Sequence, residues 1–167
     1  MVYFKSEKTL RKTVKKAFLQ EKRVIAKILP SVDVQHVGST AIPNSLTKGD
    51  LDIQVRVKKE DFTKTVKELL KLYKKDTENR CTKTYVSFKK YNGEILIGIQ
   101  VTVINSKEDD FSKLRDILLS NPKYQKELDS LKKKYNGKTM SEYRRVKAKF
   151  FNRLKQTSKF KKFVAEN

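Results

Sequence analysis

Apolar residues recur along the first thirty positions at helical spacing: Leu10, Val14, Ala17 with Phe18, Val24 with Ile25, then Ile28 with Leu29. That stripe predicts an amphipathic helix over 7–29, with lysines and arginines on its solvated face and Pro30 as its stop. The period then changes to two. Residues 33–38 alternate well enough for a strand. Residues 51–57 alternate more cleanly, with Leu51, Ile53, Val55 and Val57 on one face and Asp52, Gln54 and Arg56 on the other, because successive side chains of a strand point to opposite sides. Helical spacing returns over 60–74, where Phe62, Val66, Leu69, Leu70 and Tyr73 form the stripe. A polar connection leads to a strand at 84–91. Asn92-Gly93, the strongest short hairpin signal, turns it into a return strand at 94–103. From about 109 the pattern is helical again, through Phe111, Leu114, Ile117 and Leu118, with a break and restart at Ser120-Asn121-Pro122. Tyr124, Leu128, Leu131 and Tyr135 make the next stripe. A last helix runs from Ser141 to about Gln156 with Tyr143, Val146, Phe150 and Leu154 inward.

These elements predict an α/β (α+β) fold: a small mixed β-sheet of about four strands with helices on one face, plus C-terminal helices packed against it. No linker divides the chain, so residues 1–167 are expected to form a single domain, with an α/β part over about 1–106 and a helical part over about 107–167. The sheet face carrying Asp50 and Asp52 is expected to be the open one.

Composition narrows the class. With 37% hydrophobic residues, 167 positions suffice for one real core. The single cysteine, Cys81, excludes a disulfide framework and a cysteine-based zinc site, and fits a reducing compartment. No apolar run approaches the ~20 residues that span a bilayer, and the first residues lack the apolar core of a signal peptide. A soluble, cytoplasmic protein is the expectation. The net charge of +21 sets up a field that attracts polyanions, although a lysine-rich surface also serves solubility. Between Lys132 and Lys162, thirteen lysines and arginines face one acid, Glu142, with Tyr135, Tyr143, Phe150, Phe151, Phe160 and Phe163 interleaved. Such a stripe could follow the phosphates of RNA or another polyanion, with affinity falling as salt rises. The plainer alternative is a solvated helix whose aromatic residues, Tyr143 and Phe150 above all, pack inward.

Special backbone chemistry and special side-chain chemistry coincide at one stretch, His36-Val37-Gly38-Ser39-Thr40-Ala41-Ile42-Pro43, followed by Lys48-Gly49-Asp50-Leu51-Asp52-Ile53. Asp50 and Asp52 share one strand face, where two carboxylates repel each other and resist desolvation; a divalent cation relieves both. A Gly-Ser turn upstream frees backbone N–H groups and a hydroxyl for a phosphate. Together they suggest Mg²⁺ and a phosphorylated substrate. Read plainly, the same residues are strand-edge charges between Lys48 and Arg56, an ordinary tight turn and a structural histidine.

A Gly-Ser turn, a loop and Asp-x-Asp on a strand resemble the signature of the polymerase-beta-like nucleotidyltransferases. The fuller string is similar to the GrpB family. So are Phe111-Ser112-Lys113-Leu114-Arg115-Asp116-Ile117-Leu118, Asn121-Pro122, and Tyr124, Leu128 and Lys132 at their spacing. The likeness covers roughly residues 10–155. It implies a nucleotidyltransferase-like fold and transfer of a nucleotidyl group from a nucleoside triphosphate, with Mg²⁺ or Mn²⁺, to an unidentified acceptor. It also implies roles: Asp50 and Asp52 as catalytic metal ligands, Gly38 and Ser39 cradling the triphosphate, and Lys48 as a point charge near it. His36, the only histidine, would be a substrate contact or a donor behind one. The chain departs from the superfamily at its third carboxylate, expected on the 94–103 strand. The centre of that strand's polar face holds Gln100, which is neither an acid nor the histidine of the GrpB pattern. The alternative function is therefore a catalytically inactive nucleotide- or RNA-binding module of the same fold. No Walker loop, GxGxxG, zinc spacing or Ser/His/Asp set competes with these readings.

Overall fold

In the computed structural model, which describes residues 1–166, the elements follow in this order: β1 (Lys5–Ser6), α1 (Arg11–Ile28), β2 (Asp33–Val37), β3 (Leu46–Thr47), β4 (Leu51–Val57), α2 (Phe62–Leu70), β5 (Lys74–Lys75), β6 (Tyr85–Asn92), β7 (Ile95–Val103), α3 (Phe111–Ser120), α4 (Pro122–Tyr135), α5 (Met140–Gln156) and α6 (Ser158–Glu166). The main sheet has the order β2-β4-β7-β6-β5, and β1 and β3 form a separate short ribbon. Only β4 and β7 run parallel; the other neighbours are antiparallel. The sheet is mixed for a simple reason. The Asn92-Gly93 hairpin makes β6 and β7 antiparallel neighbours, while the crossover from β4 through α2 brings β7 in beside β4.

Strand parity divides the sheet into two unlike faces. Val34, Leu51, Ile53, Val55, Val57, Val86, Phe88, Ile97, Ile99 and Val101 pack on one side against Val14, Ala17 and Ile25 of α1 and Leu69 of α2. Burying this many aliphatic side chains at about 25 cal/mol per Å² is the main force holding the sheet and its helices together. The other face carries Asp33, Gln35, Asp52, Gln54, Arg56, Gln100 and Thr102, in register across β2, β4 and β7. A second apolar cluster, built from Ile117, Leu118, Leu128, Phe150, Leu154 and Phe160, belongs to the helical part and takes in Ile42 from the loop after β2.

Pro122 opens α4 at its first turn, where the missing N–H has no partner to lose. A reciprocal Thr139–Glu142 capping box opens α5. Three features differ from the sequence expectation. The main sheet has five strands rather than about four, because Lys74–Lys75 pairs with Phe88 and Lys89; two residues cannot display an alternation. A further helix, α6, follows the end expected near Gln156. The polar face is not bare either. The helical part lies over it and leaves a cavity between the two.

Candidate active site

β2 ends at Val37, which pairs with Asp52 of β4. The next residue, Gly38, turns with φ +74°, and a Cβ there would lie 2.2 Å from Asp52 Oδ2. Only glycine fits, both for the left-handed backbone and for the close approach. The Gly-Ser turn and the second aspartate of Asp-x-Asp are thus in van der Waals contact.

The loop that follows is held from every side. Ser45 Oγ donates to the Ser39 carbonyl at 2.7 Å. The Asn44 N–H donates to Glu7 at 3.0 Å, and Glu7 is gripped by Arg11. Leu46 gives its N–H to Asp129 and accepts from Lys132 Nζ at 2.6 Å. Lys132 is fully enclosed. Burial pushes its ammonium down to about 8, against the pull of Asp129. Helix α4 therefore fixes the segment between the turn and the carboxylates.

On β4, Asp52 lines the cavity together with Gly38, Ser39, Gln100 and Lys147. Burial raises the Asp52 carboxyl pKa, and Lys147 opposes the rise. Burial likewise lowers the Lys147 ammonium, with Asp52 pulling the other way. The sequence signal for Lys147 was no more than its place in the basic run of α5; nothing along the chain linked it to position 52. Gln100 Nε2 lies 3.5 Å from Asp52 Oδ1, and Gln100 Oε1 is a buried acceptor with no partner. Position 100, where the resemblance implies a third carboxylate, lies beside Asp52 and holds an amide. Gly98 sits between them: a Cβ there would come within 3.3 Å of Asp52 Oδ1 and 3.2 Å of Gln100 Nε2.

Asp50 and Lys48 are placed differently. Lys48 Nζ bonds Asp50 Oδ2 at 2.6 Å, each side chain about a third exposed or less, and neither residue lines the cavity. Of the two roles expected for His36, the structure places it where it could act only as a donor behind the site. Its partner across β2–β4 is Ile53, which puts it on the apolar face, stacked on Phe18 of α1 at 5.0 Å. Thr40 Oγ1 donates its single proton to the Asp50 carbonyl, so His36 Nε2, 3.1 Å away, is the donor to Thr40. Burial, aided by Arg115, pulls its pKa down to about 4. His36 is a neutral group whose ring reaches the Asp50 backbone through Thr40, while its carbonyl accepts from Arg115 of the cavity wall.

The cavity measures about 420 Å³, within the ~300–1,000 Å³ of small-molecule sites. Beyond its polar end its wall is apolar and comes from the helical part, including Phe111, Leu114, Leu118 and Phe151. An ion pair between Asp110 and Lys155 joins α3 to α5 along it. Among the described residues no helix is long and apolar enough to cross a membrane, and no three His, Cys, Asp or Glu side chains cluster as a metal cage. The carboxylates present are Asp52 in the cavity and Asp50 just before β4, the latter bonded by Lys48 outside the cavity; Mg²⁺ is commonly held by one or two carboxylates with substrate phosphates supplying further ligands.

Comparison with known proteins agrees with this geometry. The family model described as GrpB protein matches residues 8–157. A UPF0157 protein of Vibrio cholerae is 33% identical over 131 residues, covering 78% of this chain and 69% of its own length. The crystal structure of the conserved protein GrpB from Enterococcus faecalis superimposes with a TM-score of 0.73 at 18% identity, over 98% of both chains. A Cid1 poly(U) polymerase mutant bound to MgATP matches at a TM-score of 0.50 and 17% identity, over 72% of this chain and 40% of that one. The fold is nucleotidyltransferase-like.

Proposed function

The chain belongs to the GrpB family, and from that premise we propose that it transfers a nucleotidyl group from a nucleoside triphosphate to an acceptor hydroxyl. The observation that carries this reading is the contact between the turn and the carboxylate: only a glycine at position 38 lets Asp52 Oδ2 come so close. A phosphate held by the N–H groups and hydroxyl of Gly38-Ser39 then lies beside Asp52. Asp50 and Asp52 would hold Mg²⁺ or Mn²⁺ jointly with the phosphates, and the ion would neutralise charge on the leaving pyrophosphate. Lys147 supplies a fixed cation at the same end of the cavity, and Lys48 a more exposed one. In the reaction the acceptor oxygen bonds to the α-phosphorus, the bond from that phosphorus to the bridging oxygen breaks, and pyrophosphate leaves. The hydroxyl proton passes to Asp52, the carboxylate in contact with the cradle.

A second reading rests on Gln100. An amide beside Asp52 in place of an acid favours a module that binds nucleotide without turning it over. The exposed Arg144, Arg145, Lys149 and Arg153 of α5 would serve an RNA in either case. The test is incubation with each α-labelled nucleoside triphosphate and Mg²⁺ or Mn²⁺, with and without cell extract as acceptor, against Asp52→Asn. Label transfer or pyrophosphate release by the wild type alone supports transfer. Binding without turnover favours the module, and equal activity in the variant removes Asp52 from the mechanism.

A further inference from the structure

We propose that the apolar wall of the cavity is a nucleobase subsite that reads the ring and not its hydrogen-bonding edge, so that the site accepts all four bases. The inference rests on the transfer reading above and names its donor substrate more closely. The wall is built from Ile42, Phe111, Leu114, Leu118, Leu128 and Phe151, which offer rings and aliphatic surface and no side-chain donor or acceptor. Of the polar side chains that line the cavity, Gln100 with its unpaired Oε1 lies beside Asp52, and Asp110 and Arg115 are engaged within the protein. Asp110 pairs with Lys155. Arg115 is bonded to Asp116, to Gln35 and to the His36 carbonyl. Asn152 also lines the cavity but is exposed, and its amide presents donor and acceptor alike.

The two ends of the cavity are joined by one side chain. Lys147 lies 5.9 Å from the centroid of the Phe151 ring, while its charge acts on Asp52 at the polar end. An anion neutralised by Lys147 is therefore held by the same side chain that lies over Phe151. A phosphorylated compound that carries an aromatic ring, a nucleotide, matches a cavity with an anion site at one end and an apolar wall at the other. Stacking on aromatic side chains tolerates any base, because every base has a π-face. Strong discrimination instead requires buried polar groups that a wrong edge would leave unpaired, and this wall has none.

The experiment is equilibrium binding of ATP, GTP, CTP, UTP, ribose 5′-triphosphate and inorganic tripolyphosphate to the wild-type chain in the presence of Mg²⁺, repeated with Phe151→Ala. The four nucleotides are expected within about fivefold of one another, and the ring-less ribose triphosphate at least about tenfold weaker. Phe151→Ala should move the four toward the ring-less value and leave tripolyphosphate unchanged. One base bound about thirtyfold more tightly than the rest would overturn the inference. So would ribose triphosphate binding as well as ATP, which would give the apolar wall to the acceptor and leave the transfer reading intact. If no phosphorylated compound binds, the transfer reading itself falls. The wild-type series decides these outcomes even if Phe151→Ala does not fold.

Discussion

Positions 52, 54 and 56 of β4 point to the same side of the same sheet, yet they live in opposite circumstances. At 54 and 56 every polar group has a partner. Gln54 donates to Thr102 and Asp109 and accepts from the Ser112 N–H. Arg56 meets Asp109 through two bonds of 2.7 and 2.8 Å and reaches Asp33 as well. Asp109 is fully buried. Burial would raise its pKa, but the Arg56 guanidinium and the Asn105 N–H hold it below the usual carboxylate range. Four residues along, Asp52 has one long contact to Gln100, whose own carbonyl is unpaired, and it opens into the cavity. One end of the polar face is closed by its own network and fastens β4 to α3. The other end is left with desolvated charges and an orphaned acceptor, the condition of a surface awaiting a ligand.

The comparison breaks most visibly at its satisfied end. Asp109→Ala would leave Arg56, Gln54, Thr102 and the Asn105 N–H without their shared acceptor. A loss of about 3–5 kcal/mol is expected, the usual cost of removing one partner from a buried pair. Urea denaturation checks it. A loss under about 1 kcal/mol would mean that the network is not what fastens α3 to the sheet.

The sequence displayed one of these two ends far better than the other. Gly38, Ser39, Asp50 and Asp52 lie within fifteen residues of one another, so a glycine turn and a strand of period two suffice to bring them close. The strands β2, β4, β6 and β7 and the first helix were legible for the same reason: alternation and helical stripes are local signals. Nothing in the sequence marks Asp109, because its partner Arg56 is fifty-three residues away. Lys147 and Phe151 reach the site only through the packing of α5, which no local pattern encodes. For His36 the sequence left two roles open, and only strand parity, which puts it on the side of Ile53, separates the donor behind the site from the direct contact.

His36 carries the comparison through to the opposite face. Its folded-state pKa of about 4 lies below the unfolded value of 6.5. Between those values the unfolded chain binds the extra proton, so stability falls as pH drops from 6.5 towards 4 and levels off below. On the order of 2 kcal/mol should be lost over that window, allowing for partial exposure. His36→Gln keeps a donor for Thr40 and has no titrating ring. The wild-type urea midpoint should therefore fall relative to that of the variant from pH 7 to pH 4. A constant difference would show that the imidazole is protonated in the fold without penalty.

At the unsatisfied end the sign should reverse. Asp52→Asn removes a desolvated charge while keeping the shape of the side chain, so stability at pH 7 should stay the same or rise by about 1 kcal/mol. A thermal shift upward alongside lost label transfer would set this residue apart from Asp109, whose replacement only destabilises. A fall of several degrees would place Asp52 among the fastened residues and dissolve the contrast.

The smallest effect belongs to Lys48, and it sharpens the distinction between structural and ligand-facing charge. Its bond to Asp50 is short, 2.6 Å, but the two side chains are 32% and 27% exposed, and exposed pairs contribute about 0–1 kcal/mol. Lys48→Ala should change stability by less than about 0.5 kcal/mol. Any role it has must then appear with a polyanion present. Tripolyphosphate binding should weaken by about threefold at low salt, and the difference should vanish as added salt screens an exposed charge. Lys147, half-buried in the cavity wall beside Asp52, should lose less of its influence under the same salt, because a partly buried charge is screened less than an exposed one. If Lys48→Ala instead unfolds the chain, the outer end of β4 is fastened as firmly as Arg56, and Asp52 alone distinguishes the open end of the face from the closed one.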